Sequence, residues 1–329
     1  MSNYLFNGIY AEHIKQLIAL KRNLGYKYIT EESILYNFDL FTIMHNVTTP
    51  TITQEVADAW MAKRKHEAAS TQKGKITPFM QLAFYMCDIG LSNYIPRVPR
   101  IKIDYFVPYI YTPDEIQSIF TSCDKLLLKS LKKDSIIIFL PALFRLLYGS
   151  GLRVTEAITL LDKDVNLDDN YLIVRDTKNK TDRMMPISKS LSNVLKKYRI
   201  YREKLPVKID KEYFFLSLAG KKCANHNLIY TWFRVILNKA GIAHEGNHHG
   251  PRIHDIRHTF SVHALMQMDK NGSDLYCSLS VLSNYLGHSS IASTNSYVRL
   301  CNEMYPELIK TVELENLNIF PLLKNDETD

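Results

Sequence analysis

Residues 252–264 read RIHDIRHTFSVHA, and their spacing predicts a helix with two different faces. One face carries the apolar side chains Ile253, Ile256 and Phe260. The other face carries four polar side chains, which are His254, Arg257, His258 and Ser261. Arginine stays charged and can contact a phosphate through two nitrogens, and histidine can move a proton near neutral pH. The polar face is therefore predicted to bind an anion; the alternative is an ordinary surface pair or a metal pair of histidines, which would need a further ligand.

A second cationic position lies upstream, where residues 151–160 read GLRVTEAITL. The spacing predicts a helix over residues 153–161, with Arg153 and Glu156 three positions apart on one side of it. An ion pair between them would fix the guanidinium in place. An ordinary exposed pair of charges is the alternative.

Two short apolar runs, YLIVRD at 171–176 and RMMPIS at 183–188, predict the strands of an antiparallel hairpin. The loop between them contains Lys178 and Lys180, and a lysine at a hairpin tip either reaches into a neighbouring groove or is simply solvated. Further on, His288 follows a glycine in the context of a predicted helix start, and Tyr297 comes nine residues later. Taken alone, Tyr297 is one of 20 tyrosines and would be an ordinary half-buried side chain.

The composition predicts two globular domains in this chain of 329 residues, of which 46% are hydrophobic. The formal net charge of +7 is compatible with a polyanionic partner. Five dispersed cysteines argue against a disulfide framework or a zinc module. No apolar run approaches the length of a membrane helix, about 18 residues, and the first residues do not resemble a secretory signal, so a cytoplasmic protein is expected.

The pattern along the chain predicts a helical domain over residues 1–105 and a second domain over residues 106–329, joined by a proline-rich linker near 92–111. Helices are expected after Thr53 and over 72–88, the latter kinked or started late because of Pro78. The first of these would carry a basic stretch. The cations proposed to meet phosphates are Lys63, Arg64, Lys65, Lys73 and Lys75. A solvated helix face is the alternative.

A metal-dependent nuclease is the chemical rival, because LDKDVNLDDN at 161–170 has alternating acids. Leu167 stands where a calcium loop requires glycine, and Ile173 where it requires glutamate. This stretch is therefore interpreted as a surface turn. The fold class that follows is mainly α-helical with one small antiparallel β-sheet.

Four segments in order, GLRVTEAITL, HDIRHTF, LGHSS and NSYVRL, with a lysine-bearing hairpin between the first two, resemble the tyrosine recombinase (phage integrase) family. The resemblance spans roughly residues 149–299 and implies a helical core-binding domain followed by a mixed α/β catalytic domain. KRNLGYKY at 21–28 is similar to recombinases carried on transposons.

The resemblance also implies the site residues. Glu156 would orient the first arginine, and Lys178 is preferred to Lys180 when the loop is registered on Arg183 and Pro186, although Asn179 stands where glycine is common. No metal or cofactor is implied. The catalytic set would be Arg153, Lys178, His254, Arg257, His288 and Tyr297.

The activity implied is site-specific DNA recombination through a 3′-phosphotyrosyl intermediate, integrating or excising a mobile element. A Xer-like dimer resolvase, a non-catalytic architectural DNA-binding protein and a topoisomerase-like relaxer are the alternatives. The partners implied are double-stranded recombination sites, further copies of the chain in a tetrameric synapse and an accessory directionality factor, with no membrane, in the cytoplasm on the nucleoid. The segment after Arg299 would dock on its own domain or on a neighbouring protomer.

Overall fold

The computed structural model describes residues 4–102, 107–126, 135–175, 182–205, 207, 209–223, 226–244, 250–288, 294 and 297. The chain divides into two compact units, Met1–Phe106 and Val107–Asp329. This division lies one residue beyond the predicted boundary. In the part of the chain that is described, no helix is both long enough and apolar enough to cross a membrane.

The first unit is helical, as predicted. Its described helices are α1 (Ala11–Asn23), α2 (Ile29–Met44), α3 (Gln54–Met61) and α4 (Ala69–Asp88). Phe38 of α2 is fully buried, and its ring centroid lies 5.0 Å from that of Phe79 and 5.2 Å from that of Trp60. These aromatic contacts join α2, α3 and α4, so this unit has a core of its own.

Lys63, Arg64 and Lys65, the part of the basic stretch predicted at the end of the first helix, do not lie on a helix, and that expectation was wrong, whereas Lys73 and Lys75 lie in α4. Thr53 does cap α3, since its side chain accepts a hydrogen bond from the Val56 backbone N–H. The helix ends at Met61, however, and Ala62 has an extended conformation with φ −51° and ψ 139°. The Ala62 carbonyl oxygen accepts a hydrogen bond from Lys75 instead of continuing a helix. This part of the basic stretch therefore forms the connection between α3 and α4.

The fourth helix starts earlier than predicted and continues through Pro78. A proline inside a helix removes one backbone hydrogen bond and costs about 3 kcal/mol. Pro78 is buried among the apolar residues of α4, which pack on α1, α2 and α3. Packing of this face offsets the local cost.

The second unit contains seven helices and three strands among its described residues. The helices are α5 (Pro113–Asp124), α6 (Leu140–Ser150), α7 (Val154–Ile158), α8 (Lys189–Glu203), α9 (Asn227–Lys239), α10 (Asp255–Lys270) and α11 (Leu275–Leu286). The helix α7 is shorter than the predicted helix over residues 153–161. The helix α6 is almost entirely buried because it packs against α5, α8 and α10. Thr112 and Glu115 form a capping box at the start of α5.

The sheet has three antiparallel strands in the order β1-β2-β3. They are β1 (Val165–Asn166), β2 (Tyr171–Val174) and β3 (Arg183–Pro186). Leu172 pairs with Met185, which confirms the predicted hairpin. Its loop, with Lys178 and Lys180, lies outside the described residues. The stretch 161–170 is more than a surface turn, because Val165 is buried and pairs with Leu172.

Candidate active site

Arg153 and Glu156 are held together at the start of α7. Arg153 is the residue that precedes the helix, and its backbone N–H donates to Glu156 Oε2 at 3.1 Å. Its side-chain Nη1 donates to the other carboxylate oxygen at 2.7 Å. Glu156 is 7% exposed, so this is not an ordinary surface pair.

A third residue completes this cluster, one that the sequence pattern did not mark as functional. Arg183, the first residue of β3, donates from Nη2 to Glu156 Oε2 at 3.0 Å. Burial alone would raise the pKa of Glu156, but the hydrogen bonds and charges of Arg183 and Arg153 hold that pKa below its ordinary value. Glu156 is therefore ionised and shared by two guanidiniums.

Arg257 lies in the first turn of α10 and is 2% exposed. Its Nη1 donates to the Gly151 carbonyl oxygen at 2.6 Å, and its Nη2 donates to the Leu286 carbonyl oxygen at 2.9 Å. Among the described residues no carboxylate forms an ion pair with it. Burial, and then the charge of Arg153, lower its pKa to about 10, so it remains a cation at neutral pH. A buried cation whose partners are uncharged is suited to an incoming anion.

His288 lies beside this guanidinium; the residues that directly follow it, where a helix start was predicted, lie outside the described residues. Gly287 ends α11 with φ +66°, a left-handed conformation that glycine adopts easily, so His288 follows a helix end. Its Nε2 lies 3.0 Å from Arg257 Nη2, and its Nδ1 lies 2.8 Å from Thr294 Oγ1. Because the guanidinium can only donate, Nε2 accepts and Nδ1 carries the proton. Burial, and then the charge of Arg257, lower the pKa of His288 to about 4.

The other two histidines lie at the start of α10. His254 precedes the helix and remains at the surface, while His258 is partly buried. Their ring centroids are 4.9 Å apart. The pKa of each is lowered to about 4, first by desolvation. The charges of His258 and Arg257 then lower the pKa of His254, and those of Arg252 and Arg257 lower the pKa of His258. Both rings are therefore neutral near pH 7 and can accept a proton.

Tyr297 is buried, with 3% of its surface exposed, in an apolar cluster that includes Val262, Leu265 and Leu282. Its ring centroid lies 5.5 Å from that of His258 and 6.1 Å from that of His288. The structure thus brings together five members of the predicted catalytic set and Glu156. The sixth, Lys178, lies outside the described residues.

The residues on either side of the lysine-bearing loop, Arg175 and Asp182, do lie within the described part of the chain. Arg175, at the end of β2, forms ion pairs with Asp164 at 2.6 Å and with Asp182 at 3.3 Å. Asp182 immediately precedes β3, so this arrangement joins the two ends of the loop that contains Lys178.

The predicted phosphate contacts of the first unit separate into two groups. Lys63, Arg64, Lys65 and Lys73 are exposed. Lys75 differs from the expectation, because it is 6% exposed and its ammonium binds Glu67 Oε2 and the Ala62 carbonyl oxygen, both at 2.9 Å. Its charge is already paired, so we leave it out of the DNA-binding surface. Within the described ranges, no group of three His, Cys, Asp or Glu side chains could hold a metal ion.

Comparison with known proteins decides the family. The model of the phage integrase family matches residues 110–304, more than half of the chain. The chain belongs to the phage integrase family. The resemblance predicted from the four motifs is confirmed, and family membership identifies a site-specific tyrosine recombinase.

The recombinase is similar to curated and solved members over most of its length. An integrase/recombinase of Sinorhizobium fredii, y4rB, is 28% identical over 311 residues, which are 92% of this chain and 97% of that protein. The crystal structure of XerH bound to a palindromic difH substrate aligns with a TM-score of 0.62 at 20% identity, covering 86% of this chain and 79% of XerH. The Tn1549 transposon integrase in complex with transposon right end DNA aligns with a TM-score of 0.63 at 17% identity, covering 86% and 94% of the two chains. These structures establish the shared fold.

Proposed function

We propose that this recombinase cleaves and rejoins duplex DNA through a covalent 3′-phosphotyrosyl intermediate. The observation that carries the proposal is the buried Arg257 guanidinium, which has no carboxylate partner among the described residues and lies in contact with His288. Negative charge that develops on the non-bridging oxygens of a phosphodiester would be stabilised at this point by Arg257 and Arg153. Positioned guanidiniums can do this without a metal ion.

The nucleophile in this proposal is Tyr297. Its hydroxyl oxygen attacks phosphorus, a bond between the tyrosyl oxygen and the 3′-phosphate forms, and the bond to the 5′ oxygen breaks. A phenol has a pKa of about 10 and needs a base at neutral pH. His254 accepts the phenolic proton, and the ring contacts of His258 with both His254 and Tyr297 support a path between them.

The departing 5′ oxygen takes a proton from Lys178, whose pKa nearby cations would lower. His288 accepts from Arg257 Nη2 and so orients that guanidinium. For His288 to donate a hydrogen bond of its own to the phosphate, as the resemblance implies, Nε2 must become protonated when DNA binds. Because Tyr297 is 3% exposed, its hydroxyl must become accessible before it can reach DNA. A 5′ hydroxyl from another strand then attacks the phosphotyrosine and restores a phosphodiester without ATP.

The first unit would hold the duplex. The exposed cations of the α3–α4 connection, together with Lys73, are suited to phosphate contacts. Strand exchange in pairs requires four protomers on two duplexes, so we propose a tetrameric synapse, with a directionality factor as a further partner, on nucleoid DNA in the cytoplasm. The similarity to the Tn1549 transposon integrase favours a mobile element as the substrate.

Covalent trapping tests this function. Wild type and Tyr297→Phe are incubated with EDTA on nicked suicide duplexes that cover the DNA flanking the gene, and products are separated on denaturing gels. An adduct that forms with wild type and not with the phenylalanine variant is expected. DNA binding without an adduct would favour an architectural protein, cleavage that requires Mg²⁺ would contradict the proposal, and relaxation of supercoils at any sequence would indicate a topoisomerase-like activity. A Xer-like resolvase would act on a chromosomal dimer site and not on element ends.

A further inference from the structure

Arg183 shares the carboxylate of Glu156 with Arg153, which together with Arg257 forms the proposed phosphate clamp; these two are called the clamp arginines. Its Nη2 takes Oε2 at 3.0 Å, while Arg153 Nη1 takes Oε1 at 2.7 Å. The Arg183 side chain is 12% exposed and Glu156 only 6%, so this bridge is largely shielded from water. Shielding strengthens the attraction and fixes the geometry.

The same guanidinium packs against the turn that carries His288. A Cβ atom added to Gly287 would lie 2.9 Å from Arg183 Nη1 and 3.1 Å from its Cζ. Gly287 therefore permits a close approach that no other residue would allow. His288 follows directly and contacts Arg257. One side chain thus touches both the carboxylate that orients Arg153 and the backbone that positions His288.

The charges explain why Arg183 acts without contacting DNA. Arg153 and Arg183 share one carboxylate, and the Arg257 guanidinium nearby has none among the described residues, so the cluster keeps a net positive charge for an anion. The Nε and Nη1 atoms of Arg183 are buried and have no hydrogen-bond partner among the described groups. Its planar fork is turned toward protein atoms and its exposed surface is small. Arg183 Nη2 is bound to Glu156 and its Nη1 lies against Gly287, so we assign the phosphate contacts to Arg153 and Arg257 and not to Arg183.

We propose that Arg183 is a positioning residue for strand cleavage. It holds Arg153 in place through Glu156, and it holds the Gly287–His288 turn in place by direct packing, so that Arg153 and the Arg257–His288 pair meet at one phosphate. Arg183 is also the first residue of β3, the strand that follows the loop with Lys178, so it connects this arrangement to the hairpin. The inference rests on the proposed phosphotyrosyl function.

The test compares Arg183→Lys and Arg183→Met with wild type in single-turnover cleavage of a nicked suicide duplex at saturating protein. A lysine can pair with Glu156 but cannot also cover Gly287, and methionine can do neither. Misplacement of a group by about 1 Å can cost up to 100-fold in rate, so we expect cleavage to slow by about 10- to 100-fold. DNA affinity should remain within about threefold, because Arg183 makes no phosphate contact.

Arg202→Lys is the matched control. Arg202 is also a buried arginine that pairs with a carboxylate, Asp162, but it lies in α8 and touches no member of the cluster. If Arg202→Lys slows cleavage as much as Arg183→Lys at equal thermal stability, Arg183 has only a structural role. If Arg183→Met does not fold, the lysine variant alone carries the comparison.

Two substrate analogues give a readout that a structural role would not move. A methylphosphonate at the scissile position removes one non-bridging charge, so the defect of Arg183→Lys relative to wild type should shrink. A 5′-phosphorothiolate needs no protonation of its leaving group, so the defect should persist. If only the 5′-phosphorothiolate substrate removes the defect, Arg183 acts through the lysine hairpin and the proposal is wrong. Equal defects on all three substrates would also overturn the proposal. Failure of wild type to form any adduct would instead overturn the proposed function itself.

Discussion

Arg257 donates a hydrogen bond of 2.6 Å from Nη1 to the carbonyl oxygen of Gly151, 106 residues earlier in the chain. Gly151 ends α6 at φ +62°, two residues before Arg153. This bond attaches the turn before Arg153 to α10, the helix that contains Arg257. The distance between the two guanidiniums therefore depends on the backbone conformation of one glycine.

Replacement of Gly151 by alanine should disturb both stability and cleavage. An added Cβ would lie 2.4 Å from Phe260 Cδ1 and 2.9 Å from Leu286 Cδ2. Overpacking of this kind costs about 1–3 kcal/mol, and the positive φ adds strain. Urea unfolding should show the loss of stability, and suicide-substrate cleavage should slow.

Gly74→Ala is the control for that experiment. Gly74 lies inside α4, and a Cβ there meets nothing within 4 Å. Alanine is favoured over glycine in a helix by about 0.5–1 kcal/mol, so this variant should be slightly more stable and fully active. Equal behaviour of the two alanine variants would contradict the role assigned to Gly151.

Arg257→Lys should abolish most cleavage while DNA binding is retained. Lysine keeps the charge, but one ammonium cannot meet the Gly151 and Leu286 carbonyl oxygens and His288 with the geometry of a planar fork. Loss of one oriented donor to a developing anion typically costs 100- to 1,000-fold, and we expect about that decrease in the single-turnover rate. A rate within about threefold of wild type would show that the charge alone is sufficient.

The stability of the catalytic unit should depend on pH through His288. Its pKa is about 4 in the folded protein, against about 6.5 in an unfolded chain. Between these values the unfolded state binds a proton that the folded state does not, so stability falls as pH drops from about 6.5 toward about 4 and is unaffected by this group above that window. Urea midpoints of wild type should therefore fall more steeply over this range than those of His288→Asn. Parallel curves would show that His288 is not held neutral.

Local patterns in the sequence were sufficient to predict much of this fold. Thr53 and Thr112 mark helix starts because a cap depends on residues only three positions away. The β2–β3 hairpin follows from spacing in the same way, but the polar face predicted for α10 does not lie at the surface, because Arg257 is 2% exposed and Ser261 is fully buried. Arg257 could be identified as a functional candidate on this basis, since its helix presents it beside His254 and His258.

Features that depend on contacts distant in sequence could not be predicted. Lys75 has the same local signature as Lys73, yet only the fold brings Lys75 to Glu67. Arg183 reads as one more basic residue of a hairpin until β3 places it against Glu156. The end of α11 at Gly287 was not predicted, because glycine also precedes helix starts and only the positive φ of Gly287 shows that a helix ends there.

Lys63→Ala and Lys65→Ala should each weaken DNA binding at every sequence and flatten its salt dependence. Both side chains are exposed on the α3–α4 connection, with no ion pair among the described residues. Loss of one phosphate contact lowers the slope of log K against log salt by about 1. Fluorescence anisotropy at several salt concentrations measures this slope, and an unchanged slope would remove these residues from the interface.

Lys75→Met should weaken DNA binding indirectly, by releasing the connection that carries Lys63 and Lys65. The Lys75 ammonium and the Glu67 carboxylate form an ion pair of 2.9 Å in which both side chains are 7% exposed. Burial alone would raise the pKa of Glu67, but the Arg64 backbone N–H and Lys75 keep that pKa below its ordinary value. Removal of the cation leaves a buried carboxylate unpaired and typically costs about 3–5 kcal/mol.

Lys73→Met, on the same helix but exposed, should reduce DNA affinity with no loss of stability, whereas Lys75→Met should reduce both. Combining Lys75→Met with Glu67→Leu should recover stability measured by urea unfolding; if it does not, the pair is not what holds the connection.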